Sequence, residues 1–192
     1  MKRKTYRTSR LILRPYRESD YAAWVQAHQF APPKKSKYDW VPKPKMKFGR
    51  SDFRKIILNQ NRLTQKDHTY VWPIFLKQTG ELIGSVDIYV INRGVLQVAN
   101  LGYRVNNLYW RKGYGEEAVS AIVRGAFKDL KLNRLEAVID NDNKPSLKFA
   151  KAIGFRREGI RRKYYYQNKK WDDQIVYVGI REDFGLPILH PK

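Results

Sequence analysis

The chain has 192 residues, 42% of them hydrophobic and 14% aromatic, enough to build a core and too many for a disordered segment. It contains no cysteine, which removes disulfides, thiolate zinc sites and any acyl-cysteine intermediate. Lys and Arg number 39 against 18 Asp and Glu, a formal charge of +21, and such an excess suits a polyanionic partner.

The excess is uneven. Residues 2–17, 32–50 and 156–170 together hold +19 in 50 residues and leave +2 for the other 142. Two of these clusters interleave with aromatics, Tyr38, Trp40 and Phe48 in one, Tyr164, Tyr165, Tyr166 and the nearby Trp171 in the other. No apolar run reaches the roughly 18–20 residues of a membrane span, and Leu11-Ile12-Leu13 is too short for an export signal. The expectation is a cytoplasmic protein with no membrane contact. His28, His68 and His190 share no metal-ligand spacing, so no metal is expected.

In chain order, a first strand spans Arg10 to Arg14, closed by Pro15. Ser19 or Asp20 caps a helix reaching about Phe30, with Tyr21, Trp24 and Val25 on its apolar face, and Ala31-Pro32-Pro33 ends it. A proline-rich basic loop leads to Ser51, which caps a second helix carrying Phe53, Ile56, Ile57 and Leu63 at helical spacing. Strands Tyr70 to Leu76, Glu81 to Ile91 and Val95 to Val105 follow, joined by turns at Gln78-Thr79-Gly80 and Asn92-Arg93-Gly94. Ala118, Val119, Ile122, Val123, Ala126, Phe127 and Leu130 form the stripe of a third helix. Strand Leu135 to Ile139 comes next, then a short helix with Pro145 in its first turn and Gly154 at its C-cap. A hairpin across Gln167-Asn168-Lys169-Lys170 closes the pattern, its second strand Gln174 to Ile180. The reading is one domain over residues 1–184 with a tail over 185–192, of α/β (α+β) class. Its sheet is mixed, mostly antiparallel and twisted, of about seven strands, with helices on both faces.

The densest motif is Trp110-Arg111-Lys112-Gly113-Tyr114-Gly115-Glu116, running into the third helix. Gly113 and Gly115 allow φ > 0 and close backbone approach. The first free N–H groups of the helix and its positive dipole end favour an anion, and Arg111 and Lys112 add charge. A pyrophosphate is the natural guest. Neither a Walker loop nor a dinucleotide fingerprint is present.

The order of strand with Leu101-Gly102-Tyr103, glycine turn, helix, strand, Asn143-Lys144-Pro145-Ser146 and Gly154-Phe155 resembles the GNAT acetyltransferases. Thr8-Ser9-Arg10-Leu11-Ile12-Leu13-Arg14 and Trp171-Asp172-Asp173-Gln174-Ile175-Val176-Tyr177 resemble the ribosomal-protein-alanine N-acetyltransferase (RimJ/RimL-type) branch. The resemblance runs from about Thr8 to Asp183. It implies a GNAT fold and acetyl-CoA as co-substrate, with the pyrophosphate on Arg111, Lys112, Gly113, Tyr114, Gly115 and Glu116. It implies the pantetheine arm on Leu101, Tyr103 and Val105 of a strand bulged at Gly102, although an ordinary core strand with a packing glycine reads the same way. Asn143 would bond pantetheine and Ser146 would approach the sulfur, while helix capping explains both residues equally well.

Two positions depart from the family's pattern. Ala150 stands where many relatives have a tyrosine acid, and Asn100 where many have a glutamate base. Tyr165, within Tyr164 to Tyr166, occupies a region where relatives place an acidic candidate, but a phenol titrating near 10 is a poor base at pH 7. With no evident base, the acceptor matters. A lysine amine is only about 0.04% neutral at pH 7 and an α-amine about 14%, a gap of about 3.5 kcal/mol; a basic pocket also lowers the acceptor's pKa. The expected acceptor is therefore the α-amine of an acidic protein N-terminus or of a ribosome-associated protein, with RNA contact through the basic clusters. A small-molecule amine ranks lower, since polyamines are repelled by the same charge. A third reading is a ribosome- or RNA-binding protein with a weakly catalytic GNAT fold. Monomer and homodimer are both compatible with the sequence.

Overall fold

A computed structural model of the chain describes residues 4–29, 32–39 and 47–190. The strands are β1 (Tyr6–Arg7), β2 (Leu11–Leu13), β3 (Thr69–Leu76), β4 (Leu82–Asn92), β5 (Val98–Val105), β6 (Arg134–Asp140), β7 (Arg156–Gln167) and β8 (Lys170–Ile180). The helices are α1 (Tyr21–Gln29), α2 (Arg50–Gln65), α3 (Tyr114–Asp129) and α4 (Lys144–Ala152). The strands form one eight-stranded sheet in the order β1-β2-β3-β4-β5-β6-β8-β7. The pairing of β5 with β6 is parallel, and β1–β2, β2–β3, β6–β8 and β7–β8 are antiparallel. The chain forms two compact units, 1–87 with 103–122 and 88–102 with 123–192, so β4, β5 and α3 contribute to both.

The eighth strand is β1, which the sequence reading lacked. It pairs Tyr6 with Leu13, and Trp72 holds it, meeting the Tyr6 ring edge-on at 5.7 Å and donating from Nε1 to the Lys4 carbonyl. Two-residue pairing carries no periodicity signal, which is why it was invisible in the sequence.

In the first unit, Tyr16, Trp24, Phe53, Ile57, Phe75 and Leu82 form a buried cluster between α1, α2 and the strands. Trp24 stacks on Phe53 at 5.0 Å and Tyr16 meets Phe53 edge-on at 5.2 Å, offset geometries that add to area burial. The start of α1 differs from expectation. A 3-10 turn at Glu18–Asp20 precedes it, and the Asp20 carboxylate reaches back to the Arg17 N–H at 2.7 Å while pairing with Arg14 at 2.6 Å. The expected end of this helix at Phe30-Ala31 lies outside the described residues, as do Trp40, residues 41–46 of the basic loop, residues 1–3, and 191–192 of the tail. Helix α2 is capped at Gly49, not Ser51; the Gly49 carbonyl takes both Asp52 N–H and Phe53 N–H at 3.1 Å.

In the second unit, β6 and β8 carry a core of Leu135, Ala137, Ile139, Ile175, Val176 and Val178. Phe184 packs on Phe127 and Phe155 at 5.3 and 6.0 Å. Strand β5 begins at Val98 rather than Val95, because Gln97 adopts φ +46 and its carbonyl takes Asn133 N–H and Arg134 N–H. Strand β8 starts four residues earlier than expected. Its hairpin turn has both central residues left-handed, Asn168 at φ +49 and Lys169 at +63, the two-residue turn that matches strand twist. Buried Arg181 donates to the carbonyls of Phe127, Leu132 and Pro187, tying the end of α3 to the first tail residues.

Candidate active site

The glycine turn opens α3 as the sequence suggests, with one correction. Gly113 is left-handed at φ +77, but the second positive φ belongs to Arg111 at +60; Gly115 is already the second residue of the helix. The first helical bond runs from Glu117 N–H to the Gly113 carbonyl. The N–H groups of Tyr114, Gly115 and Glu116 therefore precede any intrahelical acceptor, and Gly113 has no side chain with which to cap them. Arg111 and Lys112 are exposed beside them. An amide row, a dipole end and two exposed cations, Lys112 lying 5.6 Å over the Tyr109 ring, fit a diphosphate.

Arg10 and Glu117 hold the turn in place. The Glu117 carboxylate accepts from Thr8 Oγ1 at 2.5 Å, Ser9 Oγ at 2.9 Å, Arg10 N–H at 2.8 Å and Arg10 Nε at 2.7 Å. Burial opposes its ionisation, but these donors outweigh burial and hold it at about 2. The same Arg10 guanidinium donates to the Lys112 carbonyl at 2.9 Å and lies 4.4 Å over the Tyr114 ring. A Cβ at Gly113 would sit 3.2 Å from Arg10 Nη2. Sequence reasoning missed this clamp, though Thr8-Ser9-Arg10 and Glu117 both lie in segments it singled out.

Strand β5 leads into the turn. Trp110 Nε1 donates to the Val105 carbonyl at 2.8 Å, and Asn106 Oδ1 caps the 3-10 turn at Asn107–Tyr109 through Leu108 N–H. Tyr103 is half-buried and Leu101 buried. Parallel pairing of β5 with β6 covers only Val98↔Arg134, Ala99↔Leu135 and Asn100↔Glu136, although β6 continues to Asp140 on β8. From Leu101 the β5 edge is thus released from that ladder. Buried Asn100 Oδ1, at the last paired position, has no hydrogen-bond partner among the described residues, an unmet acceptor beside the point where the ladder stops.

Asn143 caps α4 by accepting Ser146 N–H at 3.2 Å, with Pro145 in the first turn. The capping reading therefore holds for this pair. The cap uses only the Asn143 oxygen and leaves its amide N–H groups as donors. Ala150 is fully buried in α4, so it packs where relatives place a phenol. Tyr165 stands exposed on β7, paired across the hairpin with Asp172.

One titratable group escaped the sequence reading. Asp87, in β4, is pushed up to about 6 by burial, against the opposing pull of Arg104. His28 is lowered to about 4 by burial, partly offset by its Nδ1 contact with the Trp24 carbonyl, and Arg104 lowers it further. A lone acid between Val86 and Ile88 was the available signal. In the second unit, buried Glu136 binds Arg134 at 2.8 Å and also Arg161, and Arg134 continues to Glu158.

Comparison with known proteins places the chain in a family and a fold. An acetyltransferase (GNAT) domain family matches residues 10–156. The probable N-acetyltransferase YjcK of Bacillus subtilis (strain 168) is 37% identical over 130 residues, 68% of this chain and 72% of that protein. The structure of the ribosomal-protein-S5-alanine acetyltransferase from Vibrio fischeri superposes with a TM-score of 0.74 at 25% identity, covering 94% of this chain and 98% of that one. Mycobacterium smegmatis RimJ in complex with CoA-disulfide shares the fold, with a TM-score of 0.76 at 24% identity over 93% and 85% of the two chains. The chain belongs to the GNAT acetyltransferase family and is an N-acetyltransferase related to the ribosomal-protein branch. Enzymes of this family use acetyl-CoA.

Proposed function

We propose that this enzyme transfers acetyl from acetyl-CoA to the α-amino group of an acidic or ribosome-associated protein, by direct attack within a ternary complex. The supporting observation is the helix α3 N-terminus, where the amides of Tyr114, Gly115 and Glu116 precede the first helical bond, next to exposed Arg111 and Lys112. Those groups bind the diphosphate. Main-chain groups of Leu101, Tyr103 and Val105, on a strand released from its ladder, bind the pantetheine arm, joined by the Asn143 amide.

The thioester supplies an acyl carbon open to an amine and a sulfur able to leave. Oriented backbone N–H groups stabilise charge developing on the acyl oxygen. Ser146 lies in the first turn of α4, where its hydroxyl serves the departing sulfur; Tyr165 is the weaker donor. An α-amine, about 14% neutral at pH 7, reaches its reactive form without a dedicated base. The exposed cations Arg157, Arg162, Lys163 and Lys169 favour an acidic acceptor and repel polyamines.

The test incubates the protein with acetyl-CoA and three acceptors: peptides with acidic N-terminal segments, the same peptides with basic segments, and a polyamine. Mass spectrometry should find acetyl on the α-amine, with the acidic series fastest. Acetylation of the polyamine alone would overturn the acceptor assignment. Failure to bind CoA in calorimetry would overturn the site.

A further inference from the structure

The β7–β8 hairpin leaves four aromatic rings in contact with water: Tyr164 at 44% exposure, Tyr165 at 54%, Tyr166 at 58% and Trp171 at 58%. Single exposed apolar side chains need no explanation, but a cluster within eight residues does. Tyr166 and Trp171 are direct cross-strand partners and so share a face, with ring centroids 5.2 Å apart and planes tilted by 54°. Tyr164 has the Arg161 guanidinium 4.9 Å from its centroid.

Cations lie along the same hairpin. Arg157, Arg162, Lys163 and Lys169 are exposed, and none is ion-paired among the described residues. Lys169 sits at the two-residue tip. Register between Arg161↔Gln174 and Tyr165↔Asp172 slips by two residues, with Lys163 left-handed at φ +46 and its N–H bonded to Asp173 Oδ1 at 2.7 Å. The bulge interrupts the strict alternation between Arg161 and Tyr165 that would otherwise send successive side chains to opposite faces. Strand β7 ends the sheet order, so among the described residues its outer edge has no strand neighbour.

We propose that this hairpin is a docking platform for single-stranded RNA. Flat, partly exposed rings offer stacking surfaces to unpaired bases, and the interleaved cations track a phosphate backbone. Paired bases hide their faces, so a duplex would use only the cations. An acidic peptide would also satisfy the cations and leave the rings wet. An anionic lipid surface also accepts Tyr, Trp and cations but is gripped by aliphatic side chains inserted beneath them, and among the described residues of the hairpin Ile160 is the one large aliphatic side chain left exposed. This goes beyond the acceptor assignment and does not require it.

The experiment measures fluorescence anisotropy of a labelled twelve-nucleotide single-stranded RNA with the full chain, without CoA, over a salt series. Expected are binding that weakens steeply with salt and quenching of tryptophan emission that Trp171→Ala removes. The double variant Tyr166→Ala/Trp171→Ala should bind at least about tenfold more weakly. Lys163→Glu/Lys169→Glu should weaken binding and flatten the salt dependence. CoA calorimetry on each variant reports that the fold persists. Unchanged affinity in the aromatic double variant would overturn the proposal, as would equal binding of duplex RNA. Preference for polyglutamate or anionic vesicles over RNA would overturn it too. Normal RNA binding in a protein that fails to take CoA would sink the acetyl-transfer site and leave the platform standing.

Discussion

Arg10 and Glu117 are joined by two hydrogen bonds, one from the Arg10 main chain and one from its guanidinium, which bind the start of β2 to the first turn of α3. The pair reaches from residue 10 to residue 117 and fixes the helix end that presents its amides at Gly113. Its carboxylate is a side chain of the helix, so an acid in the first turn is spent on holding position.

Glu117→Gln should lower stability by about 1–3 kcal/mol, the range for hydrogen bonds to a charged group. Folding depresses the Glu117 pKa from 4.5 to about 2, so its contribution is complete above about pH 4.5 and fades as pH falls toward 2. Denaturant midpoints of parent and variant, compared at pH 7 and pH 3, should differ more at pH 7. An equal gap at both would show that the charge is not what holds the turn.

Gly113→Ala should weaken CoA binding by at least about tenfold. The left-handed φ of +77 costs a Cβ-bearing residue about 1–2 kcal/mol, and the new methyl would press on Arg10 Nη2. Gly115→Ala, in helical backbone, should be better folded and still lose affinity if the ligand approaches that amide closely. Calorimetry and thermal midpoints separate strain from lost contact.

Asp87 and His28 predict opposite pH effects on stability. Asp87 binds its proton more tightly when folded, with a pKa near 6, so its contribution falls as pH rises from about 4 through 6. His28, lowered to about 4, loses stability as pH falls from about 6.5 toward 4. Asp87→Asn should therefore raise the thermal midpoint at pH 7 and leave it nearly unchanged at pH 4. His28→Asn should flatten the acid limb instead.

Gly84→Ala should be strongly destabilising, by about 3 kcal/mol or more. A Cβ there would lie 2.1 Å from the Arg104 carbonyl oxygen and 2.9 Å from Val105 Cα. The obstacle is backbone, which cannot rotate aside, so overpacking has no cheap relief. Chemical denaturation gives the measurement, and a loss below 1 kcal/mol would mean that β4 and β5 can separate there.

The glycine turn before α3, the four helices and seven of the strands are legible because each rests on a local signal: glycine spacing, an apolar stripe or alternation. The hairpin turn at Asn168-Lys169 was placed correctly, while strand β8 was read four residues short because Trp171, Asp172 and Asp173 do not alternate as a half-buried strand would. Gly115 reads as free to adopt φ > 0 but stands in helical backbone, because sequence cannot tell a left-handed glycine from one needed only for its missing side chain. Arg10–Glu117 and Asp87–Arg104 were hidden for a different reason. Their partners are distant in sequence or in separate strands, and only tertiary pairing gives such charges a meaning. Asn143 shows the opposite case, where a local cap and a ligand contact share one signature.

The parallel ladder that stops at Asn100↔Glu136 has an evolutionary corollary. What a strand edge offers past that point is peptide geometry, which every residue except proline provides. Side chains past buried Leu101 are then free to drift with little loss of the proposed pantetheine contact, and a saturation scan of residues 102–105 should find proline the least tolerated replacement.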